Sequence, residues 1–291
     1  MPFLPLTIEE MKEYGWEQPD FVYITGDAYI DHPSFGPAII TRILENFGYQ
    51  CCIVSQPNMN NDDDFKRFGI PRLGFLVSSG NIDSMVNHYT VAKKKRKKDY
   101  YTPNGEMGKR PDRAVIKYCH KLRSIYPKSN IIIGGIEASL RRLSHYDYWS
   151  DSVKKSILLD SQADLLLYGM GEKTIVQVAD ALDSGLDAKD IIYIRNCVWK
   201  TKDKDRLPYE YELLPSYKEV VEDKEKYVLS FQIQYKNTDA FSSVSLVEQY
   251  DDTYIVQNPP EFPLSQEEMD MTYNLPYMRQ THPEIEKQGH V

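Results

Sequence analysis

Three times in this chain a short apolar run ends in a polar, glycine-bearing loop, and an amphipathic helix pattern follows. The first run is Phe21-Val22-Tyr23-Ile24, its loop extends from Gly26 to Gly36, and its helix pattern begins at Pro37-Ala38-Ile39-Ile40. The second turns at Gly134-Gly135 and the third at Gly169-Met170-Gly171-Glu172. A strand, a loop and a helix in that order form the repeating unit of an open α/β sheet, so the pattern predicts a doubly wound parallel sheet. Ligands of such sheets bind beyond the strand carboxyl ends, where helix N–H groups point into the loops. Three such loops predict one crevice.

The chain has 291 residues, enough for one large domain or two ordinary ones. At 41% hydrophobic residues it can fill a core, which excludes wholesale disorder. With 35 Lys+Arg against 43 Asp+Glu, the net charge of −8 argues against a dedicated binder of nucleic acid or anionic membrane. No apolar run reaches the length of a membrane span, and the proline-broken start, Met1-Pro2-Phe3-Leu4-Pro5-Leu6, lacks the form of a signal peptide. A cytoplasmic protein is expected. The four cysteines, Cys51, Cys52, Cys119 and Cys197, form no C-x2-C pair and no cluster-binding triplet, so they read as buried, reduced thiols and no metal site is expected.

Along the chain, a short helix is predicted from Ile8 to Tyr14, strands over Cys51–Ser55 and Arg72–Ser79, and a helix from Ile82 towards Ala92. Lys93 to Pro111, with its run Lys93-Lys94-Lys95-Arg96-Lys97-Lys98, reads as a long exposed insertion. Helical spacing returns over Arg113–Tyr126, with Val115, Ile116, Cys119 and Leu122 on one face. Buried strands follow at Asn130–Gly135 and Ala163–Gly169, then a helix over Glu172–Leu182. Beyond Trp199 the grammar changes: a charged linker to Leu207, one long helix from Pro215 to about Ile233, and a hairpin of Leu246–Tyr250 with Thr253–Gln257. A last helix starts at Ser265, boxed by Glu268. The tail beyond Pro276 shows no core pattern. This divides the chain into an α/β domain, residues 1–200, and a linker with a helix–hairpin–helix segment, residues 201–291.

At this level of detail the chain resembles the YgiQ-type radical S-adenosylmethionine proteins. The resemblance rests on Gly26 to Gly36, on Gly134-Gly135-Ile136-Glu137-Ala138-Ser139-Leu140-Arg141-Arg142, on His145-Tyr146-Asp147-Tyr148-Trp149-Ser150-Asp151 and on Tyr168-Gly169-Met170-Gly171-Glu172. Asn258-Pro259-Pro260 and Leu275-Pro276-Tyr277 extend it over nearly the whole chain. The resemblance implies a Rossmann-like domain similar to cobalamin-binding domains, followed in the family by a radical domain with a C-x3-C-x2-C motif. Three thiolates there hold a [4Fe–4S] cluster and leave one iron open for S-adenosylmethionine. None of the four cysteines here maps onto that motif. The resemblance therefore implies a chain cut before it at Val291, catalytically silent alone, whose partner is the missing radical domain of the same polypeptide. The cluster and S-adenosylmethionine belong to the full-length protein only.

Each candidate site residue has a structural alternative. Cobalamin-binding domains use a D-x-H-x-x-G loop whose histidine coordinates cobalt. Here Asp31 directly precedes His32, and Gly36 lies four beyond it rather than three. Cobalamin ligation by His32 stands against loop fixing by Asp31, His32 and Ser34. Gly26 and Asp27 open the same loop. Ser79 ends the corresponding strand. Gly134 and Gly135 either line a ligand crevice or allow close packing and a positive φ. Glu137 and Arg141 are i and i+4, so they form a surface ion pair, or Arg141 or Arg142 clamps an anion. His145 and Asp147 serve acid–base chemistry or packing. Gly169, Gly171 and Glu172 open a helix whose dipole favours Glu172. No catalytic residue is assigned. The working expectation is a crevice bounded by His32, Gly135 and Gly171 that faces the radical active site and holds substrate or seals it from water. Two alternatives are a stand-alone cobalamin- or nucleotide-binding module, and a non-enzyme that binds RNA through Lys93–Lys98.

Overall fold

The computed structural model describes residues 2–291. One sheet of nine strands organises them. In chain order the strands are β1 (Phe21–Thr25), β2 (Cys51–Ser55), β3 (Gly74–Ser78), β4 (Ile131–Ile133) and β5 (Leu165–Leu167), then β6 (Cys197–Thr201), β7 (Tyr211–Leu213), β8 (Ser245–Tyr250) and β9 (Thr253–Gln257). Their order across the sheet is β7-β8-β9-β6-β5-β4-β3-β1-β2. The five strands from β1 to β5 are mutually parallel, and Tyr23 of β1 sits level with Ile53 of β2 and Leu76 of β3. The chain winds from β1 outward to β2 and then crosses back to β3 on the other side, so the winding direction reverses between β1 and β3.

Period-2 alternation explains why these strands read as unbroken apolar runs. Phe21, Tyr23, Cys51, Ile53, Leu76, Ile132 and Leu165 enter one core. Their neighbours Val22, Ile24, Cys52, Val54, Phe75, Val77, Ile131 and Ile133 enter the other. A sheet covered on both faces needs an apolar residue at every position. Helices α1 (Gly36–Asn46) and α4 (Glu172–Asp183) cover the first face through Ile43, Leu44, Val178 and Ala179. Helices α2 (Ala114–Ile125) and α3 (Gly135–Leu140) cover the second through Val115, Tyr118, Cys119, Leu122 and Ala138. The architecture is α/β, with a mostly parallel sheet flanked by helices.

Several local expectations change. The sheet is not wholly parallel: β6 runs antiparallel to β5, and the β8–β9 hairpin joins the same sheet through β9. Lys200, read as linker, lies in β6, where its Nζ donates to the Ala163 carbonyl at 2.7 Å. A long charged stem can lie along a strand and still satisfy its head group, so charge alone did not mark a linker. The long helix over 215–233 is two, Tyr217–Glu222 and Lys224–Lys236. Asp223 breaks it by adopting an extended backbone and accepting from Glu225 N, a cap that competes with helix continuation. The helix after β3 is short, Ser84–His88, because Tyr89 turns extended. The tail is not coreless either. Tyr277, His282 and Ile285 are buried, and Gln280–Thr281 pairs antiparallel with Ile30–Asp31. No helix among the described residues is long and apolar enough to cross a membrane.

Candidate functional site

The carboxyl ends of β1, β3, β4 and β5 carry the loops that the sequence singled out, and two unlike centres form there. The first is charged. Gly26 leaves β1 so close to the next strand end that a Cβ would lie 2.3 Å from the Ser79 carbonyl, which only glycine tolerates. Asp27 follows and is fully buried. One of its oxygens accepts from Asn81 N at 2.6 Å, and Arg110 approaches the other at 2.8 Å. Arg110 also donates to the Ser79 carbonyl at 2.7 Å and pairs with Asp99 at 3.2 Å. Burial raises the Asp27 carboxyl to about 6, against the opposing pull of Arg110. The insertion read as exposed is so over Lys93–Lys98 and at Tyr100, Asn104, Glu106 and Gly108, but not throughout. Asp99, Thr102 and Arg110 turn back into the protein because three buried charges must meet. Arg110 had no local sequence signal, since its partners lie eleven and more residues away.

Asp31 also forms a structural centre. It is wholly buried against Arg42 of α1, whose Nε donates to it at 3.1 Å, and it accepts from Met278 N at 3.0 Å. It thereby fastens the tail to the first loop. His32 Nδ1 accepts from Ser34 N at 3.1 Å, and the Ser34 carbonyl and Gly36 N are bridged by the Asn81 amide at 2.8 and 3.0 Å.

Glu137 and Arg141 are not a surface pair. Glu137 is 1% exposed and accepts from Ser84 N at 2.9 Å and Val115 N at 3.1 Å, so one carboxylate caps two helices. Burial raises its pKa. Arg141 pairs with Asp83 instead. Arg142 donates to Gln257 Oε1 at 2.6 Å and lies over the Tyr168 ring. Each arginine already has partners. The aromatic segment packs locally: Trp149 lies 4.0 Å from Tyr89 between ring centres, Lys93 sits over Tyr148, and Asp147 pairs with Arg113 at 2.8 Å. Burial lowers the half-buried His145 to about 4.

The second centre is the crevice. A cavity of about 190 Å³ opens between α1, α4 and the ends of β3, β4 and β5. Gly36, Gly134, Gly135, Gly169, Gly171 and Glu172 all line it, so six of the expected residues converge. Gly26, Asp27, Asp31, His32, Ser34, Ser79, Glu137 and Arg141 lie outside its lining. Gly135 has φ +79, and a Cβ there would press on Ser78 at 3.3 Å. The walls are Tyr23, Ile39, Ile40, Leu76, Ile132, Leu167 and Ile175. Glu172 is 9% exposed; its Oε2 is cut off from solvent and has no hydrogen-bond partner. The adjacent Lys173 turns away to Glu268, at 2.8 Å. Beside the crevice, and sharing Gly169, Met170 and Glu172 with it, lies a second depression of about 570 Å³. Met170, Phe241, Phe262 and Met269 line it and are exposed.

No group of His, Cys, Asp and Glu among the described residues is arranged to hold a metal ion. The four cysteines are buried, and desolvation raises every thiol, so none offers the thiolate that an iron–sulfur cluster needs.

Residues 3–291 match the family model described as Radical SAM N-terminal. A UPF0313 protein of Clostridium perfringens strain 13 is 57% identical over 287 residues, which cover 99% of this chain and 43% of that protein. A UPF0313 protein of Clostridium botulinum strain Loch Maree is 53% identical over 289 residues, covering 99% and 45%. The chain thus spans less than half the length of these relatives.

Proposed function

We propose that this chain, which belongs to the Radical SAM N-terminal family, is the substrate-side N-terminal part of a longer radical S-adenosylmethionine enzyme. The relatives' greater length supports a further domain, and the order β2-β1-β3-β4-β5, a doubly wound order, supports a Rossmann-like reading of the α/β half. In the whole enzyme a [4Fe–4S] cluster and S-adenosylmethionine would supply the carbon radical; this chain's residues would bind and enclose what the radical acts on. The observation that carries the reading is the crevice at the strand carboxyl ends, opening beside the uncovered apolar face of Met170, Phe241, Phe262 and Met269. An apolar face of that kind marks a contact, and the missing domain is the occupant that would seal the crevice from water.

The test uses the full-length protein, reconstituted anaerobically with iron and sulfide and given S-adenosylmethionine and dithionite. It should form methionine and 5′-deoxyadenosine, whereas residues 1–291 alone should form neither. Gly171→Leu, which narrows the crevice, should change full-length turnover at least tenfold. A full-length protein that never cleaves S-adenosylmethionine sinks the enzymatic reading. Unchanged turnover in Gly171→Leu sinks the role of the crevice.

A further inference from the structure

We infer that the crevice binds a small organic cation, an amine or guanidinium on an apolar stem, with the charge against Glu172 and the stem among the isoleucines. This rests on the reading of the crevice as a ligand site and names the class of its ligand. Glu172 is the only acidic or basic residue that lines the cavity. Its Oε2 is buried without a donor, and a carboxylate in that position is costly unless a donor or a cation completes it. Neighbouring charges do not complete it: Lys173 is engaged with Glu268, Arg141 with Asp83, and Arg142 with Gln257. A ligand cation at the crevice would supply the missing counter-charge, and a cation makes the strongest hydrogen bond to a carboxylate.

The rest of the cavity sets the other end of the ligand. Ile39, Ile40, Leu76, Ile132, Leu167 and Ile175 offer no hydrogen bond. No Lys, Arg or His side chain lines the space, so the one charged side chain a ligand meets there is the Glu172 carboxylate. The volume, about 190 Å³, holds on the order of six heavy atoms by the measure of water's share of the liquid. A five-carbon amine meets each of these conditions.

The probes are n-pentylamine, 1-pentanol and pentanoate, titrated into residues 1–291 and into the full-length protein. Isoleucine methyl NMR resonances, assigned by Ile40→Val and Ile175→Val, report where each probe binds. Pentylamine should shift the crevice methyls and bind at least tenfold tighter than pentanol, with pentanoate weakest. Glu172→Gln should abolish the amine's advantage and keep pentanol binding. If pentanol and pentylamine bind the crevice equally, or pentanoate binds best, the cation inference falls and the ligand site survives. If no probe moves the crevice methyls, the cavity is not a ligand site and both readings fall. If pentylamine binds residues 1–291 but not the full-length protein, the protein's own chain completes Glu172, and the inference is overturned. An amine advantage that persists in Glu172→Gln overturns it as well.

Discussion

Two buried carboxylates sit at the carboxyl end of the same sheet and have opposite surroundings. Asp27 has its charge answered from within: Asn81 N donates to one oxygen, and the other, though it too lacks an aligned hydrogen-bond donor, lies 2.8 Å from the Arg110 guanidinium that is shared with Asp99. Glu172 has a buried oxygen with no donor. Both residues lie in βα segments, Asp27 just after β1 and Glu172 at the start of α4, so the loop grammar alone does not separate them. What separates them is whether the fold itself supplies the counter-charge. A satisfied buried charge holds a structure together, and an unsatisfied one is the better pointer to a ligand.

The largest effect should come from breaking the satisfied centre. Arg110→Met leaves Asp27 and Asp99 buried together with no cation, and removing one partner of a buried pair typically destabilises by about 3–5 kcal/mol. Urea unfolding measures it. A loss below about 1 kcal/mol would mean that Arg110 is not what holds the insertion to the crevice side. Next comes Gly80→Ala. Gly80 has φ +101, and a Cβ would lie 2.1 Å from Asp27 Oδ1, so strain and displaced charge together should cost about 2–3 kcal/mol. Gly171→Ala, by contrast, places its Cβ 3.4 Å from Ile40 Cδ1, an ordinary contact, and should change stability by less than about 0.5 kcal/mol. If the two glycine variants destabilise equally, the contrast between the centres is lost.

Acid sharpens the comparison through sign. Asp27 titrates near 6 in the fold against 3.8 in the open chain, so between these values the folded protein holds the extra proton. Its contribution to stability therefore falls as pH rises from about 4 to 6. His145 is the reverse: it titrates near 4 against 6.5, the unfolded chain binds the proton first, and stability falls as pH drops from about 6.5 to 4. The full shift is reduced because water screens a half-buried ring, leaving on the order of 1–2 kcal/mol. Asp147, held down to about 2 by the Arg113 guanidinium and Ser150 against the opposing effect of burial, titrates below this window. Urea midpoints from pH 7 to pH 4 should show a shallower acid loss in His145→Gln and a steeper one in Asp27→Asn. An Asp27→Asn profile parallel to that of the parent protein would show that the Asp27 proton is not linked to folding.

The contrast also explains what sequence could reveal. The parallel core was legible because a strand covered on both faces must be apolar along its buried length, and residues 21–24, 51–54 and Ile131–Ile133 are, with polar Thr25 and Ser55 only at the carboxyl ends. The crevice was legible in part: glycines in the βα loops mark either a close approach or a ligand space, and Gly36, Gly134, Gly135, Gly169 and Gly171 do converge on one cavity. The long-range ion pairs were not. Arg110 sits in a stretch whose basic run dominates its composition, and nothing local tells a buried arginine from a solvated one. Asp31 looked like half of a ligand motif, yet it meets Arg42 and the backbone of Met278, 247 residues away. The tail from Gln280 was illegible for the same reason: a two-residue pairing with Ile30–Asp31 leaves no periodicity to read.

The smallest predicted change in stability is the most discriminating. Glu172→Gln keeps the shape of the side chain and removes the charge that the fold leaves unanswered. At Asp27 the equivalent change removes half of an ion pair and should destabilise. At Glu172 there is no pair to lose, and relieving a buried carboxylate of its charge should leave stability within about 0.5 kcal/mol or raise it. The loss should appear instead in affinity for an amine, measured on the same sample. A Glu172→Gln protein destabilised by more than about 1 kcal/mol would mean that the fold depends on this carboxylate through a partner of its own, and the two centres would then be alike. A stable variant that no longer prefers the amine would separate them: at Asp27 the charge belongs to the fold, and at Glu172 it belongs to what the fold binds.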